Sequence, residues 1–203
     1  MTAGAPRRRG RLADLSAKAR SATAEALARR RVALGFVCGA AALGLAQPTL
    51  QSIVAGMSVA AVGEALRVWA AGHLNKAREV TSSGPYRWLP HPLYAGSSIM
   101  GVGLAIACAN VVVTALIAIY LIVTLTAAIR NEEAFLRRAF GERYDRYRSG
   151  DAEIGSQSGS RRRFTVAQAI ANREHRAIAG LLVAMLLLVL KATYNGLFWR
   201  GGG

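Results

Sequence analysis

Five stretches of this chain are apolar over lengths close to what a lipid bilayer demands: residues 32–50, 52–72, 93–109, 111–129 and 178–194. An α-helix rises about 1.5 Å per residue and the hydrocarbon core of a bilayer is about 30 Å thick, so a run of roughly 18 to 20 apolar residues can cross it. A water-soluble domain of 203 residues has no reason to gather its apolar side chains this way. In lipid every backbone amide must be satisfied within its own segment, which leaves helices as the fitting element for runs of this length. The expected fold class is therefore all-α: a polytopic membrane protein with about five transmembrane helices, 93–109 and 111–129 being joined by a tight hairpin at Ala109-Asn110.

The formal charge of +15 raises the question of nucleic acid, and the distribution of charge answers against it. Nearly all of the 26 lysines and arginines precede the first apolar run, lie between the second and third, or lie between the fourth and fifth. Five crossings put those three segments on one side. Arg67 and Arg130 fall near the same-side ends of their helices, where a long side chain can snorkel. The opposite loops, around 47–51 and at Ala109-Asn110, carry no charge. This distribution is what the positive-inside rule describes, so the N-terminus is expected in the cytoplasm and anionic lipid is an expected partner.

Four regions follow. Residues 1–31 form a basic segment, 32–148 a transmembrane core, 149–163 a Gly/Ser-rich flexible linker, and 164–203 an amphipathic segment with the last transmembrane helix. In the first region Leu12, Leu15, Ala19, Ala22 and Ala26 recur at helical spacing, which suits a basic helix on the membrane surface; a disordered tail suits the first ten residues better. The basic stretch is too long for the n-region of a cleavable signal peptide. Gly35 and Gly39 form a G-x-x-x-G pair that permits close helix approach. Cys38 and Cys108 both fall inside apolar runs and suit neither a disulfide framework nor a metal site; no metal is expected.

Residues 81–96 read T-S-S-G-P-Y-R-W-L-P-H-P-L-Y-A-G and are unlike a plain interhelical loop. Gly84-Pro85 makes a turn, and Pro90 and Pro92 brace His91 in stiff backbone. Tyr86, Trp88 and Tyr94 offer flat faces to an aromatic ring or a cation, although an interfacial aromatic belt accounts for Trp88 equally well. Glu64 and Arg67 lie one turn apart at membrane depth, either as a structural pair or as functional groups. Glu132 and Glu133 follow the fourth run and emerge on the same side as His91. Adjacent helical residues point about 100° apart, so at most one of the two carboxylates readily faces a shared pocket.

Taken in order, Gly84-Pro85-Tyr86-Arg87-Trp88, His91-Pro92-Leu93-Tyr94-Ala95-Gly96, Glu132-Glu133, and Phe140-Gly141-Glu142-Arg143-Tyr144 with Tyr147 resemble the isoprenylcysteine carboxyl methyltransferase family, whose superfamily includes phospholipid methyltransferases. The likeness covers roughly residues 64–148. It implies a membrane enzyme that uses S-adenosylmethionine, bound at the cytoplasmic face by connecting loops. Carried over by position, the cofactor contacts fall on Arg78, Glu79, Val80, Thr81, Tyr86, His91, Pro92, Leu93, Tyr94 and Glu132, with His91 and Glu132 as the catalytic candidates. Two departures bear on the acceptor. Pro90 stands where the family has arginine or asparagine, and Ala128 stands where the isoprenylcysteine enzymes carry an arginine for the substrate carboxylate, Arg130 being displaced by two residues. The cofactor side of the pattern is retained, while a prenylcysteine substrate is not implied.

The expected function is thus methyl transfer to a lipophilic or amphiphilic acceptor bearing a carboxyl or an amine, at a membrane and without nucleic acid. Two other readings compete: a reductase related to the sterol reductases that uses NADPH, and a non-catalytic membrane protein whose loop binds lipid or a partner.

Overall fold

The computed structural model describes residues 33–74, 81, 83–142, 144–145 and 163–196. Helices α1 (Ala33–Leu45), α2 (Leu50–His73), α3 (Pro92–Cys108), α4 (Val111–Phe140), α5 (Val166–Ala171) and α6 (Glu174–Tyr194) account for most of them. Among the described residues there is no strand, and the chain is an all-α membrane protein. Helices α2, α4 and α6 are long and apolar enough to cross a bilayer, whereas α1 and α3 are apolar but shorter. Their outward faces carry exposed Val54, Val62, Val102, Ile119, Ile122, Leu182 and Leu186, a surface suited to lipid rather than water.

The helix limits follow local chemistry. Helix α1 stops at Leu45, short of residue 50, because Pro48 has no amide hydrogen to give and Thr49 starts the next helix. Thr49 and Ser52 form a reciprocal capping box, the Thr49 Oγ1 accepting from the Ser52 amide at 3.1 Å and the Ser52 Oγ from the Thr49 amide at 2.9 Å. At the α3–α4 hairpin Ala109 takes a left-handed φ of 47°, and Asn110 caps α4 by accepting from Val112 and Val113. Helix α4 does not end at residue 129. It continues for 30 residues to Phe140, because 130–140 are good helix formers and the first breaker is Gly141, with φ of 49°. Glu132 and Glu133 are consequently interior helix residues, not terminal ones. Likewise α6 begins at Glu174, about a turn before residue 178.

The closest helix contact is α2 against α3, and glycine makes it possible. A Cβ added at Gly63 would lie 2.6 Å from the Gly96 carbonyl oxygen, and one added at Gly96 would lie 2.7 Å from that of Gly63. Gly56 and Gly103 meet in the same manner. Backbone touches backbone along this seam. The Gly35/Gly39 pair does not act so: nothing approaches Gly39, and Gly35 faces only the hydroxyl of Tyr120.

Helices α1, α2, α3, α4 and α6 converge on one small-residue core formed by Ala42, Ala46, Ala60, Ala107, Cys108, Val113, Met185 and Leu188. It lies toward the end of the bundle where the α3–α4 hairpin turns. At the opposite end α4 stays with α3, while α6 packs on α2 and α5, and no extensive interface joins α4 to α6. The basic N-terminal segment, residues 149–162 of the linker and residues Arg78, Glu79 and Val80 lie outside the described residues.

Candidate active site

The proline-rich hinge sits at that open end. Gly84, with φ of 60°, starts a short 3-10 turn over Gly84–Arg87 with Pro85 as its first residue. The turn lies on the His73 ring so closely that a Cβ at Gly84 would come within 2.7 Å of it. This fold-back buries Tyr86 against Ala70 and Leu74, while Trp88 points outward, 71% exposed, and leans on Trp69 at 5.9 Å. Trp88 is not among the residues that line the cavity described next. Pro92 is the first residue of α3, and His91 precedes it as the N-cap without a side-chain capping bond.

A cavity of about 750 Å³ opens beneath the hinge. That volume lies within the range typical of sites for small molecules and cofactors. Thr81, Tyr86, Leu93 and Tyr94 line one side of it. A stripe along α4 with helical spacing of four, Tyr120, Thr124, Ala128 and Glu132, lines another. Thr81, Tyr86, Leu93, Tyr94 and Glu132 are thus brought to one cavity. His91 and Pro92 are not: Pro92 is buried at the helix start, and His91 turns its Nε2 to Glu133 Oε1 at 3.4 Å and its ring to Tyr94 at 5.7 Å. The two glutamates divide as the 100° step between neighbours requires. Glu132 faces the cavity and Glu133 holds the imidazole.

The floor of the cavity is a charge cluster. Arg67 reaches three helices: its Nε lies 3.5 Å from Glu64 on α2, one terminal nitrogen lies 2.6 Å from Glu174 on α6, and the other donates to Ser97 on α3. The Ser97 hydroxyl in turn donates a hydrogen bond to the Leu93 carbonyl at 2.8 Å. Two carboxylates face one guanidinium, and among the described residues the Glu64 oxygens have no hydrogen-bond donor. The sequence gives notice of Glu64 and Arg67 but not of Glu174, whose partner is more than a hundred residues away.

The remaining wall comes from the C-terminal helices. Asn172 donates to the Ala71 and Leu74 carbonyls, both at 2.8 Å, and Gln168 donates to Leu74 at 2.9 Å. The Thr165 amide donates to the Gly72 carbonyl, and Phe164 stacks near His73 at 6.0 Å. Carbonyls that end α2 without intrahelical partners are satisfied here by side chains of α5 and its flanks. This clamp presents Asn172, Arg173, Glu174 and Arg176 to the cavity.

A family profile described as phospholipid methyltransferase matches residues 40–143. The chain belongs to that family. Among curated proteins, cobalt-zinc-cadmium resistance protein CzcN of Cupriavidus metallidurans is 36% identical over 89 residues, 43% of this chain and 40% of that protein. Nickel-cobalt-cadmium resistance protein NccN of Alcaligenes xylosoxydans xylosoxydans is 33% identical over 94 residues, 45% of this chain and 42% of that protein. Protein-S-isoprenylcysteine O-methyltransferase of Schizosaccharomyces pombe is 31% identical over 116 residues, 57% of this chain and 44% of that protein. The chain thus spans less than half the length of these relatives. No solved structure matches it. The family match contains the hinge and the twin glutamates and stops before α5 and α6.

Proposed function

We propose that this protein is an integral membrane methyltransferase of the isoprenylcysteine carboxyl methyltransferase-like type, which takes its methyl group from S-adenosylmethionine. Its acceptor is a lipophilic or amphiphilic molecule. The observation that carries the reading is the convergence of Thr81, Tyr86, Leu93, Tyr94 and Glu132 on one cavity at the end of the bundle where α4 and α6 stand apart. A membrane-dissolved acceptor can enter laterally there without leaving the bilayer. The positive-inside asymmetry of the sequence supports a cytoplasmic position for this end and for the N-terminus, an arrangement that five crossings would satisfy.

The residues present fit the cofactor. Tyr86 and Tyr94 supply ring faces for an adenine or a sulfonium, and Glu132 supplies a carboxylate for an ammonium or ribose hydroxyl. Arg78, Glu79 and Val80 extend this set by resemblance, outside the described residues. When bound, the cofactor supplies an electrophilic methyl group. The protein's part is to align the acceptor with it and exclude water, which can contribute roughly 7–11 kcal/mol. A carboxylate acceptor needs no base; an amine acceptor must lose a proton, and Glu132 lies in the cavity to take it. His91, held by Glu133, acts as a positioning residue for Tyr94 and the start of α3.

Calorimetric titration of the purified full chain tests the reading. S-adenosylhomocysteine should bind and NADPH should not, and Glu132→Ala should weaken the former by about 10- to 100-fold, the worth of one charge-assisted contact. Binding of NADPH alone would assign a reductase, and binding of neither would leave a non-catalytic lipid- or partner-binding protein.

A further inference from the structure

The first turn of α3 carries Leu93 and Tyr94 of the donor-side wall, yet it does little to fasten itself. His91 makes no side-chain capping bond, and Pro92 brings no amide hydrogen. The turn is held from other helices. On one side His91 meets Glu133 of α4 at 3.4 Å. On the other, Ser97 donates to the Leu93 carbonyl at 2.8 Å and itself accepts from Arg67 of α2.

Arg67 is fitted to this place along its whole length. Its stem lies flat on α3, where a Cβ added at Gly96 would come within 2.6 Å of the Arg67 Cγ. Its guanidinium is planar and its N–H groups leave in fixed directions, so the position of one partner constrains the others. One terminal nitrogen serves Ser97, and the other meets the Glu174 carboxylate at 2.6 Å. Glu174 is the first residue of α6 and is buried. The neighbouring Asn172 anchors that helix start by its bonds to the Ala71 and Leu74 carbonyls. A fixed carboxylate thus aims the fork, and the fork holds the hydroxyl that holds α3. Glu174 lies beyond residues 40–143, the part of the chain that the family profile matches.

We infer that Arg67 and Glu174 are positioning residues of the donor site: Glu174 sets the Arg67 fork, and through Ser97 the fork sets the first turn of α3 and with it Leu93 and Tyr94. Neither residue has to touch the donor to do so. The ion cluster accordingly couples the C-terminal wall to the donor wall, and by linkage donor binding steadies the start of α6 in return. Naming the ligand as the donor rests on the methyltransferase reading; the coupling of α6 to α3 does not.

The test is a double-mutant cycle on the full chain in phosphatidylcholine nanodiscs, read as S-adenosylhomocysteine affinity by calorimetry. Ser97→Ala cuts the chain at the hydroxyl. Glu174→Met cuts it at the carboxylate while Glu64 stays to balance Arg67. Each should weaken binding by about three- to tenfold, and the double variant should lose no more than the worse single variant, because both cut one chain. Ser97→Thr keeps the hydroxyl and should stay within about twofold of the parent, whereas Arg67→Lys keeps the charge, loses the fork and should bind as weakly as Ser97→Ala. His175→Gln, an exposed change beside Glu174 and outside the cavity lining, should leave affinity as in the parent. Hydrogen exchange gives a second measure. Amides 93–98 should exchange faster in Glu174→Met than in the parent, and no faster in the double variant than in Ser97→Ala. Exchange at the hairpin end should stay unchanged, which a loss of folding would raise as well. Losses that multiply in the double variant, unchanged affinity in either single variant, parental affinity in Arg67→Lys, or an equal loss in His175→Gln overturns the proposal. If the parent itself binds no S-adenosylhomocysteine, the methyltransferase reading fails and the exchange arm decides the coupling: unaltered exchange at 93–98 in Glu174→Met overturns it.

Discussion

The two ends of the helix bundle share one kind of fastening, and the hinge end adds an ion cluster to it. At the hairpin end, side chains donate into backbone carbonyls: Asn110 to Leu45, Ser52 to Ala107, and Lys191 to Gly44 at 2.7 Å and to Leu43. The Gln47 amide bonds the Cys108 carbonyl, and small residues fill the space between helices. Each bond there answers a carbonyl left over at a helix terminus, so the end closes on itself. At the hinge end Asn172, Gln168 and Thr165 answer the carbonyls that end α2 in the same way, and to them is added a guanidinium between carboxylates beside a cavity. Backbone caps close an end permanently. Charged side chains hold helices together while leaving polar groups that a ligand can use. The contrast explains how one bundle is rigid where α3 turns into α4 and open where the family's motifs lie.

The sharpest way to break this contrast is at Arg67. Removing it leaves Glu64 and Glu174 facing each other without a counter-charge, and breaking a buried pair in this way costs about 3–5 kcal/mol. Arg67→Ala should therefore lower the unfolding temperature more than any other single change discussed here and separate α6 from α2 and α3. Adding Glu64→Gln and Glu174→Gln should restore much of the loss, because the stranded charges go with it. Thermal unfolding of the single and triple variants in one detergent checks both; a mild Arg67→Ala phenotype would show that the cluster does not hold the open end.

The opposite end should respond less. Lys191→Met retains the apolar stem and removes the cap on α1, a loss of about 1.5–3 kcal/mol for hydrogen bonds from a charged donor. Cofactor affinity should not move, since the change lies at the far end of α6 from the cavity. A Lys191→Met variant that loses S-adenosylhomocysteine binding would show the two ends to be coupled. Smaller again is Asn172→Ala, which takes one donor from the Ala71 carbonyl and leaves Leu74 with Gln168, and should destabilise by about 1–2 kcal/mol.

Much of this architecture is legible in the sequence, and the rest fails for identifiable reasons. Apolar runs announce the long helices, and Pro48, Asn110 and Gly141 mark where they break or begin. Residues 131–140 also have a helical pattern that Gly141 can end, but the drop in hydropathy at Arg130 hides that they continue the apolar run as one unbroken helix. In the candidate site, the hinge residues and Glu132 are near neighbours in a sequence pattern and can be read together. The wall from Asn172 to Arg176 cannot. Its position depends on which orphan carbonyls at the end of α2 it satisfies, a choice made across about a hundred residues that no local pattern records. The same holds for helix approach: Gly35 and Gly39 have the familiar spacing, but the seam uses Gly56, Gly63, Gly96 and Gly103, seven apart on each helix.

The smallest expected effect tests how the hinge is held. His91 and Glu133 are 3.4 Å apart, partly exposed, and bonded side chain to side chain with no backbone carbonyl involved. A pair of this kind contributes at most about 1 kcal/mol, since solvent screens it and two side chains must be ordered to form it. His91→Gln should accordingly shift the unfolding temperature little. If His91 positions Tyr94, the same variant should weaken S-adenosylhomocysteine binding by a few-fold, and Glu133→Gln should do the same because it removes the other half of the pair. If His91 instead touches the reacting atoms, its replacement should lower turnover with donor affinity intact, and Glu133→Gln should not reproduce the full loss. Measuring donor affinity and turnover for both variants separates a hinge held by its own imidazole from one in which the imidazole belongs to the chemistry.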